Sequence, residues 1–293
     1  MLNKIFGTAA KLTLTTIIAV GSMLSGNSFA QDNEYVEEVV SIGTRGKPRS
    51  VSSSPVPVDV LSAEDISKTG TDDLLMQLQG SIPSLNVHLQ PISDAASMIR
   101  PANLRGLSAD STLITTNGKR RHHASVIAFQ GGGVNDGSQG ADISVIPAIA
   151  LKRVEVLRDG ASAQYGSDAI AGVINFVLDD ISEGGSLSYK MGEYTEGDGA
   201  TTTIAGKYGM PLGQDGFVTT SFQIRQADDT SRSAQRPDAA ALIAAGNNAV
   251  ANPAQIWGAP KIDDDVTFFM NSGVTNSDGS ESYMFGNYSE RDV

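Results

Sequence analysis

The chain has 293 residues, enough for one or two domains with real cores, and a formal net charge of −12. A chain this acidic has no general attraction to nucleic acid or anionic lipid, because both are polyanions. Cysteine is absent, which excludes a disulfide framework, a thiol nucleophile and cysteine metal sites.

Residues 1–30 read as a signal peptide. Lys4 and Lys11 give a basic start, Leu12–Leu24 is apolar, and Ser28 and Ala30 form the small-residue pattern that precedes a cut. The apolar run is too short, and too broken by threonines, for the ~20 residues that span a bilayer. No later segment reaches that length, so residence in a membrane would require β-structure.

Residues 31–57 lack helical or strand periodicity. An apolar run, Val39-Val40-Ser41-Ile42, follows Glu37 and Glu38, and Gly43, Gly46, Pro48, Pro55 and Pro57 speak against a regular element. Such a segment cannot bury enough surface to order itself. It suits either strand addition to a partner's sheet edge or service as a plain linker.

Residues 58–182 read as an α+β unit. Val58–Leu61 is a short strand, and Ser62 caps a helix with Asp65 at its third position. Thr71 is expected to cap a second helix with Leu74, Leu75 and Leu78 on one face, ended by Gly80 and Pro83. Leu113–Thr116, Asn117-Gly118 and Lys119–Arg121 spell a hairpin with a type I′ turn. Arg153–Arg158 alternates Val154 and Val156 with Arg153 and Glu155, predicting an amphipathic strand, and Gly172–Leu178 predicts a buried one. Between them lies a short helical turn over Ala161–Tyr165.

Residues 183–293 alternate in segments of ~8–10 residues, the signature of transmembrane β-barrel strands, although a soluble sandwich alternates too. Leu187, Tyr189 and Met191 share a face; so do Ile204 and Tyr208, then Val218, Phe222 and Ile224, then Val266, Phe268 and Met270. A final run over Ser282–Ser289 is rich in aromatics. A short turn, Gly209–Gly216, and one long polar loop, Ala227–Lys261, separate the segments. Five strands are expected.

Nothing in the chain spells an enzyme. His122 and His123 are adjacent and point to opposite faces of a strand, without the spacing of a metal pair. Gly131-Gly132-Gly133 opens no helix, so it is no phosphate cradle. No nucleophile–base pair is found, and no metal or cofactor is expected.

The tract Leu151–Leu178, LKRVEVLRDGASAQYGSDAIAGVINFVL, resembles the plug signature of TonB-dependent outer-membrane receptors. NLRGL at Asn103–Leu107, the hairpin LITTNGKRR and EEVVSIGTR around a TonB box resemble the same family from about Glu37 to the end of the chain. Ser41 stands where the family more often has valine or threonine. The resemblance implies an α+β plug domain followed by the first antiparallel strands of a transmembrane β-barrel, which in complete members has about 22 strands. Five strands cannot close in lipid, so the chain is expected to be an N-terminal fragment that does not transport alone.

For the whole protein the resemblance implies active import of a scarce small-molecule ligand across the bacterial outer membrane. Siderophores, haem, cobalamin, saccharides and peptides all use this architecture. Glu38, Val39, Val40, Ser41 and Ile42 would couple to the TonB C-terminal domain and its inner-membrane energising complex. Arg105 and Arg158 would latch the plug to barrel-wall glutamates. Arg100, Arg121, His122, His123 and Phe129 are ligand candidates, and outer-membrane lipid, not nucleic acid, would be the remaining partner. A plug-only periplasmic binding or signalling module and an exported enzyme are the competing classes. A signalling member would carry an extra folded domain before the TonB box. N-terminal sequencing of the exported protein is expected to start at Gln31; a start at Met1 would rule out cleavage after Ala30.

Overall fold

A computed structural model describes residues 39–40, 42, 49–50, 57–71, 73–87, 99–100, 102–128, 133–255 and 258–292. The expected signal peptide, Glu38, Ser41 and Phe129 lie outside the described residues. In the coupling segment, β1 (Val39–Val40) pairs antiparallel with β2 (Arg49–Ser50), Val39 opposite Ser50 and Val40 opposite Arg49. This short ladder corrects the expectation that the segment holds no regular element. Ile42 anchors it, 3% exposed among Val58, Leu113, Leu157 and Val173.

Next come β3 (Val58–Ser62) and α1 (Ala63–Ser67), where Ser62 accepts from the Asp65 backbone N–H at 3.1 Å and donates to its carboxylate at 2.6 Å. The capping box is as the sequence spells it. Helix α2 spans Leu74–Ser81 with Asp73, not Thr71, as its cap: Asp73 accepts from the Met76 N–H at 3.2 Å. A carboxylate at this place also meets the positive end of the helix dipole. The helix passes through Gly80 and buries Leu74, Leu75 and Leu78.

Strands β4 (Leu85–Val87) and β5 (Ala102–Leu104) pair with each other. The central sheet is completed by β6 (Thr112–Thr116), β7 (Lys119–Arg120), β8 (Leu151–Leu157) and β9 (Gly172–Leu178), in the order β3-β8-β9-β6-β7. A four-residue helix, α3 (Ser162–Tyr165), lies in the β8–β9 connection. Asn117 and Gly118 both take positive φ, as a type I′ turn demands. The α2 leucines, Leu104, Val154, Val156, Ile174 and Phe176 form one core.

Glu155 departs from the amphipathic reading of β8, for it is fully buried. Its two oxygens accept from Arg153 Nε at 2.9 Å and from Asn175 at 3.1 Å, while Asn175 accepts from Thr115 and the Gly118 N–H. Both faces of β8 are covered, so its polar residues are tolerated only because they bond one another. Period-two alternation cannot distinguish that arrangement from a solvated face.

The remaining strands form a separate five-stranded antiparallel wall in chain order: β10 (Gly185–Gly192), β11 (Thr201–Pro211), β12 (Gly216–Ala227), β13 (Ile262–Thr275) and β14 (Glu281–Asp292). They extend beyond the predicted segments, because ladder pairing continues past the apolar positions. The β12–β13 connection, read as a plain polar loop, holds α4 (Pro237–Ala244) with Pro237 at its first turn.

The wall is inside out relative to a soluble sheet. Leu187, Tyr189, Ile204, Phe222, Ile224, Val266, Phe268 and Tyr288 are exposed, whereas Thr203, Thr219, Ser221, Asp265, Thr267 and Asn271 are buried. The register aligns Leu187, Gly206, Phe222, Phe268 and Tyr288 into one outward row. The polar row faces the α+β unit, and Phe269 of β13 enters its core. No helix among the described residues is long and apolar enough to cross a membrane.

Gly172 opens β9 at φ +152°, and a Cβ there would sit 2.2 Å from the Leu157 carbonyl oxygen and 2.8 Å from Leu104. Gly172→Ala is expected to destabilise the fold by about 3 kcal/mol. A thermal unfolding midpoint unchanged from wild type would refute this packing.

Candidate functional site

A cleft of about 610 Å³ opens between the α2 side of the α+β unit and the ends of the wall strands where the long β12–β13 connection attaches. Thr71, Asp73, Met76 and Arg100 line one side; Tyr189, Lys190, Arg225 and Arg291 line the other. Beneath it, a void of about 20 Å³ is bounded by Asp73, Arg100, Arg225, Asp265 and Arg291.

These five charged residues form the cleft floor. Arg100 donates to one Asp73 oxygen while the other caps α2, and both side chains of the pair are 11% exposed. Arg225 and Arg291 flank Asp265 in the β-ladders on either side of β13. Arg291 Nε donates to Asp265 at 2.9 Å, and the guanidinium reaches Ser144 of the α+β unit, 3.3 Å from its hydroxyl and 3.4 Å from its carbonyl oxygen. Burial would push the Asp73 carboxyl up, but Arg100 and Arg225 outweigh it and hold the group below its ordinary 3.8.

Over the cleft, the two surface connections are clasped together. Arg232 of the β12–β13 connection bonds Asp198 and Glu196 of the β10–β11 connection and stands 5.7 Å over the Tyr194 ring. Tyr194, Thr230 and Ala259 belong to the cleft lining.

At the other end, amides, hydroxyls and carbonyls join wall and plug-like unit, together with one ion pair and one cation–ring contact. Asn117 accepts from Leu178 N–H at 2.8 Å and donates to Asn271 at 3.3 Å; Asn271 donates to the Asp179 carbonyl at 3.0 Å. Lys207 pairs with the Asp179 carboxylate, Thr219 donates to the Ile181 carbonyl at 2.8 Å, and Lys119 lies 5.6 Å over the Tyr283 ring.

Among the residues the sequence offers for TonB coupling, plug latching or ligand contact, Arg100 alone is found in the described cleft lining. Arg121 donates from Nε to the Asp142 carbonyl at 2.9 Å, and burial pushes its guanidinium down while Asp142 opposes that. His122 is exposed, and the His123 ring contacts the Gln139 carbonyl. Arg105, at φ +57°, lies 3.8 Å from Asp159, and Arg158 pairs with Asp59. The structure therefore joins these two arginines to carboxylates of their own unit. Asp73, Arg225, Asp265, Arg291 and the Asn117–Asn271 contact were not singled out. A charged residue at an inward position of an alternating strand, such as Arg225 or Asp265, was the available signal; it needed the knowledge that the polar face is the covered one.

A family model described as the TonB-dependent receptor plug domain matches residues 50–173. The chain is 29% identical over 161 residues to an iron-regulated outer membrane virulence protein of Vibrio cholerae, covering 55% of this chain and 23% of that protein. It is 29% identical over 175 residues to the ferric enterobactin receptor PirA of Pseudomonas aeruginosa, covering 57% and 23%. In fold it is similar to the ferric enterobactin receptor PfeA of Pseudomonas aeruginosa, solved in complex with enterobactin, with a TM-score of 0.60 at 21% identity over 80% of this chain and 33% of that one. The siderophore receptor PirA of Acinetobacter baumannii gives a TM-score of 0.56 at 19% identity over 80% and 31%. The chain thus spans 23% of these curated relatives' length and about a third of the solved chains.

Because the Asp73 carboxyl is held below 3.8, its stabilising contribution is complete above that value and is lost as pH falls through the depressed one. Asp73→Asn keeps a capping side chain but removes the charge, and is expected to cost about 2 kcal/mol near neutral pH. The gap from wild type should shrink on acidification below 3.8, as read by denaturant unfolding; a gap independent of pH would contradict the assignment.

Proposed function

As the chain belongs to the TonB-dependent receptor family through its plug domain, we propose that it serves TonB-dependent import of a ferric siderophore across the bacterial outer membrane. The observation that carries this reading is the cleft that draws cations from both the plug (Arg100) and the wall (Lys190, Arg225, Arg291), beside the carboxylates Asp73, Glu193 and Asp228. A ligand seated there touches both layers, so its arrival can alter how they are held together. Relatives named for ferric enterobactin and other siderophores supply the ligand class. The outward apolar row of the wall faces lipid, and the protein reaches the outer membrane through a signal peptide cleaved after Ala30.

The outer membrane holds no ATP, so transport draws energy from the inner membrane through TonB. Residues Glu38–Ile42 couple to the TonB C-terminal domain by strand addition, in which backbone hydrogen bonds supply the affinity. In the structure β1 already pairs with β2, and Ile42 is buried in the plug. Coupling therefore exchanges β2 for TonB and draws Ile42 from its pocket. Burying an isoleucine is worth about 1.5–3 kcal/mol, small enough for a tight ladder with TonB to offset. Arg105 and Arg158 would find further partners among barrel-wall glutamates, since Arg105 and Asp159 are both substantially exposed. The chemistry is binding and movement, with no bond made or broken in the ligand.

These 293 residues contain no cysteine, so a cysteine substitution places a single thiol in this part of the protein. Val40→Cys in the siderophore-loaded protein is expected to form a disulfide with a cysteine placed on the TonB C-terminal domain, and to do so less when unloaded. Absence of the crosslink in the loaded protein would overturn the coupling assignment.

A further inference from the structure

The cleft draws its cations from two layers. Lys190, Arg225 and Arg291 belong to the wall, and Arg100 is the plug's single cation among the described lining residues; Glu193 and Asp228 are carboxylates in the same lining, contributed by the surface connections. Arg100 also borders the void beneath, so its guanidinium stands between the cleft and the charged floor. Its partner Asp73 uses one oxygen for Arg100 and the other to cap α2. The floor's other carboxylate, Asp265, is engaged by Arg291.

An anion held by the wall cations and the plug together shares the Arg100 guanidinium with Asp73, and the two negative charges oppose one another there. Exchange of the one for the other is affordable because Arg225 acts on Asp73 through space and leaves it a counter-charge. A neutral ligand offers Arg100 no equivalent of the carboxylate it would leave, since bonds between two charged groups are the stronger ones.

We infer that Arg100 is a specificity-determining residue that reads ligand charge, exchanging Asp73 for an anionic oxygen of the ligand that Arg225 and Arg291 hold from the wall. This rests on the import reading above and deepens it: the ligand class is a small polyanionic complex. The exchange acts on the cap of α2, whose Leu74, Leu75 and Leu78 are part of the plug core. Ligand charge is thereby passed to the body that TonB must move.

The test uses the protein solubilised from outer membranes and two radio-iron-labelled probes of similar size, a trianionic ferric tris-catecholate and a neutral ferric tris-hydroxamate. Wild type is expected to prefer the trianion. Arg100→Gln should weaken trianion binding about tenfold, and Asp73→Asn should tighten it several-fold by removing the competitor. Neither should move the neutral probe, and Arg100→Lys should retain part of the preference. A merely structural ion pair would shift both variants in the same direction for both probes, and that result overturns the inference. Thermal unfolding of each variant checks folding, with Asp73→Ser, which also keeps the cap, as the second route. Equal binding of both probes by wild type, or preference for the neutral one, leaves import standing and removes charge sensing. Binding of neither probe removes the siderophore reading together with the inference built on it.

Discussion

The polar face of the wall must be covered, and the plug is what covers it. In a soluble sheet the apolar row is buried and the polar row is hydrated; here Phe222, Phe268 and Tyr288 look outward while Thr219, Ser221, Thr267 and Asn271 are buried. A buried hydroxyl or amide without a partner costs about 1–3 kcal/mol, so the wall's inner row is viable only against a surface that offers donors and acceptors. The plug offers them at its carbonyls and turns: Asp179 and Ile181 accept from Asn271 and Thr219, and Asn117 of the hairpin turn bonds Asn271.

The same constraint shapes the cleft. Away from the Asn117 joint, the two layers part, and the inward row there carries Arg225, Asp265 and Arg291 instead of small hydroxyls. Charges at such positions persist because Arg225 and Arg291 flank Asp265 across the strands, Arg291 reaches Ser144 of the plug, and Arg225 acts on Asp73 through space. The result is a cleft whose floor includes the buried ion pair that also caps α2.

Much of this was legible beforehand. The capping box at Ser62, the type I′ turn at Asn117-Gly118, the strand pair around Arg153 and Gly172, and the five wall strands all depend on local chemistry: a side chain reaching its own backbone, a φ above zero, a period of two. The family resemblance of Leu151–Leu178 belongs with them, since it rests on residues close in sequence. Thr71 as the cap of α2 failed because Thr71 and Asp73 are both good caps, and the choice fell to the residue that also meets Arg100. Glu155 failed because alternation does not say whether a polar face meets water or a second layer. For the ligand candidates, Arg121, His122 and His123 lie close to one another in the chain, but the cleft draws on residues as distant as Asp73 and Arg291.

The sequence by itself determined most of the elements, the alternating strands of the wall and the plug resemblance, because each is written in neighbouring residues or in a short period. Only the tertiary structure decided which face of the wall is covered, that Ile42 is buried, and that Arg100 rather than His122 meets the cleft. Those outcomes depend on surfaces brought together across most of the chain. Burial and ion pairing are properties of such meetings, and no local pattern of residues specifies them.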